Sequence, residues 1–342
     1  MTTVHSSAPM RISIAGGGSD LPEFYRLGPT VVVAAALTHR VHVCVADEPD
    51  DAVAVLEAQG TDWSYRLPPA GSAHHPYHAA AATTLRLSRL PSIAVGSPVP
   101  PGSGLGGSGA YCVALIDALL QWSGRRLHPR EIAVLAFRLE REVLGRTIGQ
   151  QDAWAAALGG VQRMRFAADG SATASPSPGL STALTQLIDG GLLLYRVPGA
   201  RDASRVLAEA PSVTPEQHRQ ALDAAARTEQ AFLSGDIHTV GAVLRAHWAR
   251  KTAANPAADH PVCRRLQEGS AAAGISGFKL IGAGGGGHLL IAADPTALDR
   301  TEAFLHRLGL VRVTLRLSQE GLSSTTDAGE RSRREDKPCA SA

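Results

Sequence analysis

The chain has 342 residues, 44% of them hydrophobic and 19% charged, with a formal net charge of +2. A chain so composed is not wholly disordered, and its Lys and Arg are scattered rather than gathered into a nucleic-acid footprint. The longest apolar stretch, Thr30 to Leu37, is far too short to cross a bilayer and the first ten residues lack a signal peptide's apolar run, so no membrane partner is expected.

In chain order, Arg11–Ala15 reads as a short strand that stops at Gly16-Gly17-Gly18. Ser19-Asp20-Leu21-Pro22-Glu23 reads as a helix start with proline just inside it. The β-branched runs Thr30–Ala36 and Val41–Ala46 read as paired strands. An alanine-rich helix is expected over His75–Leu87, a strand over Ser92–Gly96, and then a loop dense in Gly, Ser and Pro from Pro98 to Gly109. Tyr111–Trp122 has the spacing of an apolar helix and Pro129–Leu144 that of an amphipathic one; Gln150–Leu158 is a third helix, ended by Gly159-Gly160. Val161–Phe166 reads as a strand and Ala167–Pro178 as a hairpin or linker.

The second half opens on a strand at Leu192–Tyr195. Helices follow over Asp202–Leu207, Pro215–Leu233, Ile237–Lys251 and Pro261–Ala273. Strands Phe278–Ile281 and His288–Ala292 flank a glycine run; a helix over Pro295–Leu308 and a strand over Val311–Leu317 close the core. From Gly321 the chain turns polar and reads as a disordered tail. The plan is α+β, with domains over 9–178 and 185–320 and the tail over 321–342. None of the four cysteines, Cys44, Cys112, Cys263 and Cys339, sits at a metal-ligand spacing, which fits a reducing cytoplasm.

The most informative segment is Pro100-Pro101-Gly102-Ser103-Gly104-Leu105-Gly106-Gly107-Ser108-Gly109-Ala110. A strand precedes it and an apolar helix follows, so unpaired N–H groups and a partial positive charge await an anion, phosphate above all. No Lys follows as a P-loop requires. Gly102, Gly104 and Gly107 do satisfy GxGxxG, but the acidic residue that should end a second strand falls within helical sequence. A glycine-rich structural turn is the remaining alternative. The second glycine run, Gly282-Ala283-Gly284-Gly285-Gly286-Gly287, reads by itself as either a tight hairpin or a ligand loop.

Taken in this order and spacing, the loops at Gly16, Gly102 and Gly282 resemble the three motifs of the GHMP kinase superfamily, over residues 9 to 320 or so. The finer resemblance is to bacterial D-glycero-D-manno-heptose 7-phosphate 1-kinases and fucokinase-like relatives. It rests on Ala8-Pro9-Met10-Arg11 through Asp20-Leu21-Pro22, on Ile148-Gly149-Gln150-Gln151-Asp152, and on Lys279-Leu280-Ile281-Gly282 and the glycines after it.

The resemblance implies a ribosomal-S5-domain-2-like N-terminal domain and a ferredoxin-like C-terminal domain, with ATP and substrate in the cleft between them. It implies an ATP- and Mg²⁺-dependent sugar kinase acting on the anomeric C1 hydroxyl, as a monomer or homodimer. Pro101, Gly102, Ser103, Gly104, Leu105, Gly106, Gly107 and Ser108 would cradle ATP, with Gly284, Gly285 and Gly286 closing the phosphate side. Ser108 and Glu140 would hold Mg²⁺, and Asp152 would take or orient the hydroxyl proton. Arg11, Gly17, Gly18, Ser19, Asp20, Gln151 and Arg201 would meet the substrate.

Without the resemblance, Asp152 and Asp20 read equally as helix-start residues and Glu140 as a surface charge. Three departures bear on the acceptor and the loop: Gly107 where the family has a first serine, Gln150 where the heptose kinases have Lys, and Trp154 where they have Tyr. An acceptor of another class (amino acid, polyol, aminosugar) and a non-catalytic ATP and sugar sensor are the competing functions.

Overall fold

The computed structural model describes residues 2–47, 64–65, 75–197, 206 and 213–328. Its larger sheet is built on two long antiparallel strands, β1 (Thr2–Ala15) and β2 (Thr30–Ala46). The second is continuous where two strands were expected. Thr38 and Arg40 interrupt the apolar pattern, but both find partners. The Thr38 N–H donates to the Arg316 carbonyl, and Arg40 Nη2 donates to the carbonyls of Ser7 (2.9 Å) and Gly321 (2.7 Å).

The short strand β3 (Ser64–Tyr65) pairs with β4 (Ser92–Gly96), which lies along one half of β2. The other half of β2 pairs with β5 (Val161–Phe166), which turns back into β6 (Ala172–Pro176). The second sheet has the order β10-β7-β9-β8, from β7 (Leu192–Val197), β8 (Ile275–Leu280), β9 (Gly287–Ala293) and β10 (Val311–Val313). Every strand pairing among the described residues is antiparallel. The dinucleotide reading of the glycine loop requires a parallel sheet and falls here.

Burial along β1 changes character midway. Thr2 to Ser7 alternate or stay half-exposed, whereas Ala8 to Ala15 are buried without a break. Unbroken burial marks a strand covered on both faces. Helices α3 (Gly107–Trp122) and α5 (Gln151–Leu158) pack on β1 and β2, and so does α7 (Pro215–Leu233) from the second half of the chain. The stretch of β1 that carries Arg11 and leads into Gly16–Asp20 is thereby held at the centre of the molecule.

Three differences from the sequence expectations stand out. The amphipathic run at Pro129 forms α4 only to Arg138 and then a π-helical turn, Leu139–Val143, rather than continuing as α-helix to Leu144. The unexpected α6 (Pro178–Asp189) buries Leu180, Leu184 and Leu187, a helical stripe legible in retrospect. Ser323–Ala328 is not disordered but forms β11, an edge strand whose backbone pairs with residues 2–7 of β1. Its polar side chains hid it, because an edge strand can be held by ladder bonds with little apolar content. Of the helix expected over Asp202–Leu207 only Val206 lies within the described residues, and 329–342 lie outside them. No helix among the described residues is long and apolar enough to cross a membrane.

Candidate active site

A cavity of about 1100 Å³ runs between the two sheets' loops and helices. The glycine-rich loop after β4 forms one wall. Helix α3 begins at Gly107, earlier than the expected Tyr111, behind Gly106 in the left-handed conformation (φ 73°) and with no side-chain cap. Its first N–H groups are therefore not satisfied by a capping side chain, which favours an anion there. Pro101, Gly102, Ser103, Gly104, Gly106, Gly107 and Ser108 line the cavity. Leu105 does not: its side chain is fully buried and its carbonyl accepts the Arg11 N–H at 2.9 Å.

Against the loop, Arg11 of β1, Asp20 of the turn that follows it, and Gln151 and Asp152 of α5 come together. Arg11 grips Asp152 Oδ1 with Nη2 at 2.5 Å and Nε at 2.8 Å, and its Nη1 donates to the Gly104 carbonyl at 2.7 Å. Asp152 is not the cap of α5: that position is Gln150. The capping is done instead by Asp20, from a different part of the chain, whose Oδ2 accepts the Gln151 N–H at 2.9 Å. Asp20 Oδ1 also accepts from the Gly18 N–H at 3.1 Å. Burial raises the Asp20 carboxyl to about 6, opposed by the Gln151 N–H and reinforced by the negative charge of Asp152.

Two glycines make this arrangement possible. Gly16 turns the chain out of β1 with φ 72°, and a Cβ there would overlap the Val31 carbonyl. A Cβ on Gly149 would overlap the Asp20 carboxylate itself. Gly17, Gly18 and Ser19 follow the turn and line the cavity.

Glu140 sits on the π-helical turn, nearly inaccessible at 2% exposure rather than on the surface. π-turns recur at functional sites because the inserted residue re-aims a side chain. The Glu140 carboxylate accepts hydrogen bonds from the Tyr77 hydroxyl (3.0 Å) and from Ser108. Burial lifts its carboxyl to about 7, with the Ser108 bond pulling the other way. Glu140 does not itself line the cavity, but a buried carboxylate touching the Ser108 hydroxyl at the start of α3 offers hard oxygen donors of the kind Mg²⁺ takes, in the small number it takes from protein when phosphates and waters supply the rest. The residues present therefore fit that ion.

The third glycine loop enters differently from expectation. Gly282 and Ala283 line the cavity, whereas Gly284, Gly285 and Gly286 do not. The Gly285 N–H is bonded to the Ala258 carbonyl at 2.6 Å, and the same turn packs against Gly284. Arg201 lies outside the described residues.

Sequence reasoning missed several groups that the fold delivers to the cavity. Lys279, quoted only as part of a motif, is buried and donates to the carbonyls of Ser13 (2.8 Å) and Ile14 (3.0 Å), fastening β8 to β1. Arg250 and Lys251 enter from α8 (Ile237–Ala254), and Lys251 Nζ donates to the Gly282 carbonyl at 2.5 Å. Tyr77 and Arg146 complete the Glu140 side, Arg146 Nη1 donating to the Tyr77 hydroxyl at 2.6 Å. Their signal was weak: each is a single polar or aromatic residue in a helix, strand or loop, with no spacing to set it apart.

The chain is similar to several known kinases. Residues 75–160 match the GHMP kinases N terminal domain. A D-glycero-alpha-D-manno-heptose 7-phosphate kinase from Campylobacter jejuni is 26% identical over 314 residues, 86% of this chain and 91% of that protein. A mevalonate kinase from Methanothermobacter thermautotrophicus is 34% identical over 119 residues, 33% of this chain and 36% of that one. Among solved structures, a D-glycero-D-manno-heptose 1-phosphate kinase from Bacteroides thetaiotaomicron superposes with a TM-score of 0.68 at 21% identity, covering 94% of this chain and 98% of that one. Lactococcus lactis galactokinase, complexed with galactose, gives 0.65 at 15% identity, covering 94% and 95%. The fold is that of the GHMP kinases, residues 75–160 match their N-terminal domain, and over most of its length the chain is similar to a heptose 7-phosphate kinase.

Proposed function

We propose that the protein is an ATP- and Mg²⁺-dependent sugar kinase that phosphorylates the anomeric C1 hydroxyl of D-glycero-D-manno-heptose 7-phosphate or a close relative, for nucleotide-sugar formation. The observation that carries the reading is the Arg11–Asp152 pair, which stands in one cavity with both the uncapped start of α3 and the Gly16–Asp20 turn. In this reading the loop 101–108 binds the ATP phosphates. Asp20 and Gln151 hold sugar hydroxyls, and a carboxylate can accept from two at once.

Asp152 accepts the hydrogen of the attacking hydroxyl and orients its oxygen toward the terminal phosphorus, and Arg11 fixes the carboxylate in place. Ser108 and Glu140 hold the metal; when bound, Mg²⁺ offsets phosphate charge. Arg250 and Lys251 also line the cavity, and their positive charge supports an acceptor that already carries a phosphate, although the motif Lys is missing.

The test is ADP release from Mg-ATP across a panel of free and phosphorylated sugars, with amino acids and polyols beside them. Turnover with a heptose 7-phosphate and a product phosphorylated at carbon 1 is expected. Turnover only with a different acceptor overturns the heptose assignment. Nucleotide binding without turnover on any acceptor overturns the kinase reading in favour of a sensor.

A further inference from the structure

The glycine-rich loop ends without the lysine that other phosphate loops place against the terminal phosphates. Some other cation has to meet that charge. Several cationic side chains line the cavity, and most have structural commitments. Arg11 holds Asp152 and the Gly104 carbonyl, Lys279 holds two carbonyls of β1, and Lys251 holds the Gly282 carbonyl. Arg250 stands with Lys251 on α8 and lines the same cavity, and no hydrogen bond among the described residues ties it to Ser108, Glu140 or the glycine-rich loop.

Arg146 is placed differently. It follows the π-helical turn that carries Glu140, to which it is tied by the Arg146 N–H to Glu140 carbonyl bond at 2.9 Å. Its guanidinium joins a short relay that ends at the loop: Arg146 Nη1 donates to Tyr77 OH at 2.6 Å, and Tyr77 OH donates to Glu140 Oε1 at 3.0 Å. Glu140 in turn accepts from Ser108. The guanidinium carbon also lies 5.7 Å from the Tyr77 ring centroid, so the aromatic ring supports the cation as well as bonding it. Arg146, Tyr77 and Ser108 line the same cavity.

We propose that Arg146 is the nucleotide's phosphate cation: its guanidinium, aimed by Tyr77, binds the β- and γ-phosphate oxygens beside Ser108. This rests on the phosphotransferase reading above. A guanidinium presents five N–H donors in a planar fork, the geometry that suits a bidentate grip on phosphate. It keeps its charge at any working pH, and as negative charge shifts toward the leaving oxygen it stabilises the transfer as well as the binding. Tyr77 orients Arg146 and does not itself meet the phosphates.

The experiment is a ladder of ATP, ADP and AMP affinities in Mg²⁺ by calorimetry, on the full chain and on Arg146→Met, Arg146→Lys and Tyr77→Phe. Arg146→Met should weaken ATP about tenfold or more, weaken ADP less, and leave AMP within about twofold, with kcat lowered as well. Arg146→Lys should lose severalfold on ATP because the charge stays and the fork goes, and Tyr77→Phe should lie between the parent and Arg146→Met. If Arg146→Met does not fold, the lysine variant carries the test, since it keeps the charge beside Glu140. ATP affinity unchanged in the variants, or lost in equal proportion for ATP and AMP, overturns the proposal. A parent chain that binds ATP alongside variants that bind it equally well removes this assignment alone. A parent chain that binds no nucleotide removes the kinase reading with it.

Discussion

Arg11 holds Asp152 through two nitrogens on a single carboxylate oxygen, at 2.5 and 2.8 Å, while its third nitrogen reaches the Gly104 carbonyl at 2.7 Å. One side chain from β1 thereby fixes both the carboxylate assigned to the acceptor and the loop assigned to the nucleotide. With its side chain only 4% exposed, Arg11 can hold this geometry with little competition from water.

Asp152→Asn keeps the shape of the site but removes the charge. Nucleotide binding should survive and turnover should fall by about a hundredfold or more. Full turnover in that variant, measured with the acceptor that the panel identifies, would remove Asp152 from the chemistry.

How much of this was legible depended on the kind of signal. The glycine loops announced themselves because so many glycines in sequence are costly for a mere connector, and their order carried the family resemblance. Glu140 was not legible by itself: in a run with Arg138, Arg141 and Glu142 it reads as a surface charge, and only the π-turn rotates it inward. The pairing of Asp20 with the start of α5 joins residues far apart in sequence, and no local pattern encodes that contact. Strand β11 failed for the opposite reason, since its polar sequence resembles a tail and its order comes from the β1 edge.

The serine missing from the second motif is a departure the structure tolerates in either direction. A Cβ at Gly107 would meet only Met10 Cε, at 3.6 Å, an ordinary contact. The helix begins at this residue, so Gly107→Ser should be neutral or stabilising by about 0.5 kcal/mol and should leave turnover intact. A drop in melting temperature of several degrees would show that the start of α3 needs glycine there.

Gly149 allows no such freedom. A side chain there would displace the Asp20 carboxylate, which caps α5 and stands next to Asp152. Gly149→Ala should therefore raise the acceptor KM by about tenfold or more while nucleotide affinity holds, because the damage falls on the acceptor side of the cavity. Equal loss of acceptor and nucleotide binding would point to a general disturbance of the fold instead.

Glu140 makes the protein's stability depend on pH in a stated direction. Burial lifts its carboxyl from the usual 4.5 to about 7, so between those values the folded protein retains a proton that the unfolded chain has lost. Folding takes up that proton, and stability falls as the pH rises through the window, by on the order of 3 kcal/mol for a shift of this size. Asp20, lifted from 3.8 to about 6, acts in the same sense at lower pH. The melting temperature of the ligand-free protein should drop between pH 5 and pH 7.5, and Glu140→Gln should flatten that drop while leaving the part due to Asp20. Binding of Mg²⁺ requires the ionised carboxylate, so Mg²⁺ should strengthen nucleotide binding more at pH 7.5 than at pH 6 in the parent. In Glu140→Gln that difference should vanish. A parent and variant with parallel melting curves across this range, and the same Mg²⁺ response, would mean that Glu140 neither titrates in the folded protein nor meets the metal.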